Sequence, residues 1–166
     1  MSTPPALPFV AKAFAGAGRG SARESLARRQ LVLQSIPLFQ GLSKRQRRSI
    51  GRIARISAFR AGDRLVTEGA TGSVLGVVLD GRVRVVKKGR TVARMDAGAI
   101  FGEVAVLDPG PRTASIVAQT DGECLTIGGK ELWKLLSTEP RMGAEIARVL
   151  ATRLREVSGR PDDRTP

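Results

Sequence analysis

Residues 101 to 118 read FGEVAVLDPGPRTASIVA and gather side chains suited to holding an anion. Phe101-Gly102-Glu103 reads as a strand end followed by a short helical turn, Glu-Val-Ala-Val-Leu, too short to be a packing helix. A helix start leaves amide N–H groups without an intrahelical acceptor, and a glycine beside it lets a ligand approach closely. Asp108-Pro109-Gly110-Pro111 then turns the chain sharply and delivers Arg112 at the head of the next strand. A guanidinium near such amides clamps phosphate through charge-assisted hydrogen bonds, each worth roughly 1.5 to 3 kcal/mol. The carboxylate of Glu103 would repel that phosphate unless it accepts a hydrogen bond from a sugar hydroxyl alongside. Together these residues ask for a ligand with one phosphate and a free hydroxyl close by. Taken singly, Glu103 and Arg112 would also fit a surface ion pair between loops, worth about 0 to 1 kcal/mol.

Other chemistries find little support. The chain has no histidine, which removes the commonest general base and the commonest metal ligand. No tyrosine occurs, and aromatic residues make up only 4%, so recognition of nucleic acid by stacked rings is not expected. The single cysteine, Cys124, lies in the apolar run Glu-Cys-Leu-Thr-Ile and reads as a buried structural thiol. No stretch approaches the roughly 20 apolar residues that span a bilayer, and no secretory signal opens the chain, so the expected location is the cytoplasm. The net charge of +13 is uneven: residues 1–60 hold twelve Lys/Arg against the single acid Glu24, whereas residues 61–166 are nearly balanced. A basic binding face, if present, belongs to the first sixty residues.

The elements that position residues 101–118 follow from periodicity and punctuation. Residues 1–22 mix proline, glycine, alanine and serine and read as a disordered basic arm. Residues 23–57 read as N-terminal helices: an amphipathic helix from Arg23 closed by Pro37, then KRQRRSIGRIARI behind the N-cap Ser43, with Ile50, Ile53 and Ala54 on its apolar side. Residues 58–128 break into short β-rich runs with glycine every 8 to 12 residues, the rhythm of antiparallel strands. Residues 129–158 read as two C-terminal helices interrupted at Pro140, the first anchored on the strands by Trp133, and 159–166 as a disordered tail. The expected fold is mainly β with flanking helices, an eight-stranded antiparallel barrel.

The order PLFQGLS, FRAGDRLVTEG, VVLDGRVRVV, FGEVAVLDPGPRTASIVA and LATRLRE resembles the cyclic nucleotide-binding domain family, over about residues 36–157. Members occur in cyclic-nucleotide-regulated kinases and channels and in catabolite-activator-type regulators. The resemblance implies a jelly-roll barrel whose phosphate-binding cassette spans residues 101–115. It implies that Glu103 accepts from the ribose 2′-hydroxyl, and that Arg112 pairs with the phosphate. The N–H groups of Gly102, Val104 and Ala105 would complete the cradle. Thr113 follows the cassette arginine, where members with Arg-Thr-Ala can hold cGMP through the threonine hydroxyl, and many also take cAMP. Val83, Val85 and Ser115 are secondary candidates for the pocket, and Arg153, with Val149 and Leu154, for a lid over the purine.

The chain departs from the family at Ala70, Thr71, Ser73 and Gly76, where members often carry an acid and an aromatic, and its last helix has no aromatic to stack on a purine. Only Ser158 to Pro166 follow that helix, so no helix-turn-helix is expected and nucleic acid is not an expected partner. The expectation is a non-catalytic cytoplasmic sensor of cAMP or cGMP that uses no metal or cofactor and signals to a downstream protein by moving its C-terminal helices. The alternative is a regulatory interaction protein that binds no nucleotide and docks its basic N-terminal segment on a partner or nucleic acid.

Overall fold

Prolines and caps set the helical lead-in. In the computed structural model the described residues are 22–141, 143, 144, 147, 148, 151 and 155. Helix α1, Ala22–Ser35, stops because Ile36 precedes Pro37 and is held extended at φ −85°, ψ 120°. Pro37, whose missing N–H costs nothing at a first helical position, opens the short helix α2, Pro37–Gln40. Ser43 caps α3, Lys44–Ile53, through a reciprocal box: its hydroxyl accepts from the Gln46 N–H at 3.2 Å while the Gln46 side chain accepts from the Ser43 N–H at 2.8 Å. At the other end, Arg29 of α1 donates to the carbonyls of Gly51 at 2.9 Å and Ala54 at 2.7 Å, two acceptors the helix leaves unpaired. The expected helix KRQRRSIGRIARI therefore ends sooner than its periodicity suggests. Ala54 is extended and β1 begins at Arg55, ahead of the boundary expected at 58, because Arg55 through Phe59 pair with β8. The expected arm lies outside the described residues except for Ala22, which opens α1, and the tail lies outside them entirely.

The β-rich region forms β1 Arg55–Phe59, β2 Arg64–Val66, β3 Val74–Asp80, β4 Val83–Lys87, β5 Arg90–Met95, β6 Ile100–Phe101, β7 Ser115–Ala118 and β8 Gly122–Gly128. Their hydrogen bonds divide them between two antiparallel sheets of four, ordered β1-β8-β3-β6 and β2-β7-β4-β5. The expectation of a mainly β fold with flanking helices stands, in the form of two sheets. Alternation along β3 explains how they stack. Leu75, Val77 and Leu79 join a core with Leu33, Phe39 and Ile50 of the helices, whereas Val78 joins Phe59, Val83, Phe101, Ile116 and Cys124 between the sheets. The first sheet is thus covered on both faces, and β3 reads as an almost continuous apolar run for that reason.

Two further elements bear on the site. Helix α4, Glu103–Leu107, follows β6 directly, and α5, Gly129–Thr138, follows β8. The described residues from Pro140 onward, including Arg141, Ala144 and Arg148, are helical.

Candidate ligand site

Gly102 is the pivot between β6 and α4. It is the N-cap of α4 at φ +81°, a left-handed conformation that costs glycine little. A Cβ built there would lie 2.1 Å from the Val74 carbonyl oxygen and 3.0 Å from Nη1 of Arg112, so only a bare backbone fits. Glu103 occupies the first turn of α4, where a carboxylate suits the helix dipole. The helix ends at Asp108, extended at φ −126° because Pro109 follows it.

Arg112 reaches the same spot from the other side of the Asp-Pro-Gly-Pro turn. Its backbone is pinned to the loop after β2: the Arg112 N–H donates to Ala70 at 2.9 Å, and its carbonyl accepts from Gly69 at 2.8 Å. Both terminal nitrogens of its guanidinium lie 3.5 Å from the Val74 carbonyl, long contacts that leave most of its donor capacity for a ligand. Burial pulls the guanidinium below its ordinary value, yet an arginine so placed stays charged at neutral pH. The result is a half-buried positive fork beside a helix start.

A cavity of about 420 Å³ opens in front of this pair, within the roughly 300 to 1,000 Å³ usual for small-molecule sites. Gly102, Glu103, Val104, Ala105, Arg112 and Thr113 all line it, and so does Val85. Its lining also includes Val66, Met95 and Ile116, apolar strand residues with no chemical signature in the sequence. Asp108, at the end of α4, brings a second carboxylate to the lining.

Three secondary candidates fall elsewhere. Val83 is completely buried between the sheets, in the cluster with Phe59, Val78 and Cys124, and does not line the cavity. Ser115 is 3% exposed and stitches β7 to the end of β2, its hydroxyl accepting from the Glu68 N–H at 2.9 Å. Arg153, with Val149 and Leu154, lies outside the described residues.

Trp133 corrects a sequence expectation. It is 46% exposed rather than a core anchor, and its indole N–H donates to the Val106 carbonyl at 2.5 Å. That bond ties α5 to α4, the helix that carries Glu103. Gly76, one of the departures noted above, also has a reason. Its missing Cβ would stand 2.1 Å from the Phe101 ring, so Gly76 lets that ring lie across β3 and brings β6, with Gly102 behind it, against the sheet.

With this geometry in view, a family model described as a cyclic nucleotide-binding domain matches residues 56–139. The chain belongs to the cyclic nucleotide-binding domain family. It is 31% identical over 129 residues to the Cyclic AMP receptor protein of Thermus thermophilus, covering 75% of this chain and 60% of that one. A match of 31% identity to the cGMP-dependent protein kinase of Toxoplasma gondii covers 68% of this chain and 11% of the kinase. The chain therefore spans less than two thirds of these relatives. A crystal structure of a cyclic nucleotide-binding domain from Methylobacillus flagellatus superposes with a TM-score of 0.71 at 30% identity, covering 89% of this chain and 88% of that one. The regulatory domain of Toxoplasma gondii PKA with cAMP superposes with a TM-score of 0.69 over 81% of this chain and 51% of that one, a likeness of fold at 21% identity. Among the described residues no helix is long and apolar enough to cross a membrane, and no cluster of His, Cys, Asp and Glu is placed to hold a metal ion.

Proposed function

We propose that the cavity between α4 and the Arg112 loop binds a cyclic nucleotide, cAMP or cGMP, and that the domain acts as a non-catalytic sensor. The observation that carries this reading is the convergence of Arg112 and Gly102: a guanidinium beside a helix start, with Glu103 lining the same cavity. In it Arg112 pairs with an oxygen of the cyclic phosphate, and the amides of Gly102, Val104 and Ala105 close around the remaining charge. Glu103 accepts from the 2′-hydroxyl, which a 3′,5′ ring leaves free. The apolar lining formed by Val66, Val85, Met95 and Ile116 receives the purine, with Thr113 offering a hydroxyl to guanine. The repulsion between Glu103 and the phosphate is offset by the sugar contact, so a phosphate without a neighbouring hydroxyl gains less from the site.

Signal transmission follows from the indole bond. A phosphate that draws α4 toward Arg112 also draws the Val106 carbonyl, to which Trp133 of α5 is tied, and the helices beyond α5 shift with it to reach a downstream protein. The test is thermal unfolding with cAMP, cGMP and 5′-AMP. At one hundred times Kd a ligand adds roughly 2.7 kcal/mol, so a cyclic nucleotide should raise Tm by several degrees while 5′-AMP does far less. No shift with either cyclic nucleotide overturns the reading.

A further inference from the structure

Helix α3 carries its charge against its own interest. Lys44, Arg45, Arg48 and Arg52 are exposed, its first turn holds no acid, and its start places Lys44 and Arg45 where the helix dipole disfavours cations. Lys44 and Arg48, and again Arg48 and Arg52, stand four residues apart on one side, a spacing at which like charges repel. Arg55, at the start of β1, is exposed as well. No acid occurs between Lys44 and Arg55, and none of these cations takes part in an ion pair among the described residues. The helix is fixed behind this row: Ile50 is buried on the opposite side and Gly51 at its flank, and the capping box and Arg29 hold its two ends.

We propose that this face of α3 docks on the phosphate backbone of a nucleic acid duplex. A rigid convex row of guanidinium forks matches phosphates, which accept two parallel hydrogen bonds from each fork. A duplex carries about one charge per 1.7 Å, so a few contacts release enough counterions to bind without a shaped pocket. The other polyanions fit this face less well. Among the described residues the exposed large apolar ones are Leu31, Val92, Val104 and Trp133, none of them on α3, so the helix has nothing to insert into a bilayer. A second copy would bring the same cations to the contact. An extended acidic peptide offers at most one charge per roughly 3.3 Å.

The test is fluorescence polarisation of the full chain with fluorescein-labelled DNA and RNA duplexes of arbitrary sequence, about 20 base pairs long, at rising salt. The wild type should bind one or both, with log K falling against log salt at a slope of about −3 to −4 for four phosphate contacts. The triple variant R45Q/R48Q/R52Q should bind at least tenfold more weakly with a slope shallower by about 2 to 3. R84Q/R90Q/R94Q, which removes the same charge from exposed positions of β4 and β5, should lose less than threefold. Equal losses in the two variants would reduce the effect to net charge and overturn the proposal. So would displacement of the duplex by polyglutamate or by phosphatidylserine vesicles at matched charge. A Tm for the first variant at or above that of the wild type separates lost contacts from lost folding.

Discussion

The guanidinium of Arg112 stands against the bare Cα of Gly102, near enough that a methyl group built there would lie 3.0 Å from Nη1 and 2.1 Å from the Val74 carbonyl. Two residues ten apart in the chain thus share one small space, and a third residue's backbone fixes the distance between them. Replacing Gly102 with alanine tests this directly. The left-handed conformation and the overlap with Val74 should cost on the order of 1–3 kcal/mol, seen as a lower Tm, together with weaker cyclic nucleotide binding because α4 is pushed away from Arg112.

Gly76→Val probes the support beneath the site. Its Cβ would enter the Phe101 ring, with a nearest approach of 2.1 Å. Overpacking of this kind typically costs about 1–3 kcal/mol, and because Phe101 precedes Gly102 the loss should appear in ligand affinity as well as in Tm. A variant with wild-type Tm and affinity would show that β6 is not held as described.

The sole tryptophan makes the helix coupling observable. Trp133 is half exposed and hydrogen-bonded to Val106, so its emission should change when a ligand draws α4 inward. Trp133→Phe removes the donor and strands that carbonyl, at a cost of about 1 kcal/mol. An emission spectrum unaltered at saturating ligand would sever α5 from the signal.

Cys124 is buried between the sheets, and burial, with the Glu123 carboxylate adding to it, pushes the thiol above its ordinary value of about 9. The folded state therefore holds the proton more tightly than the unfolded chain does. Its contribution to stability is complete below about pH 9 and is lost as pH rises through the folded value. In the native protein at pH 8 the thiol should not react with a disulfide reagent, and denaturant should expose one reactive thiol per chain. Rapid reaction without denaturant would contradict the placement.

Much of the site was legible because its signals are local. Gly102, Glu103, Arg112 and Thr113 fall within one short run, and a turn rich in proline and glycine announces that its ends return toward each other. What escaped was set by partners distant in sequence. The Val74 carbonyl that steadies Arg112 is main chain, delivered by the pairing of β3 with β6, and carries no side-chain signature. Val83 and Val85 share a strand face, yet only Val85 reaches the cavity, since Val83 is closed over by an inter-sheet core assembled from distant strands, which alternation does not specify. The helical period of KRQRRSIGRIARI continues past Ile53, but pairing of Arg55 to Phe59 with β8 overrides it. Trp133 read as the anchor of the first C-terminal helix on the strands, but it is half exposed and bonded to α4, a contact that no spacing could reveal.

The central claim, that Arg112 holds the phosphate of a cyclic nucleotide, is tested most directly by calorimetric titration of cAMP and cGMP into the wild type and Arg112→Ala. The account predicts one site per wild-type chain for at least one of the two, and roughly a hundredfold weaker binding in the variant, as loss of charge-assisted bonds worth about 1.5 to 3 kcal/mol each requires. The variant's Tm without ligand should stay close to that of the wild type. Unchanged affinity in Arg112→Ala, or no heat from either nucleotide with the wild type, would contradict it.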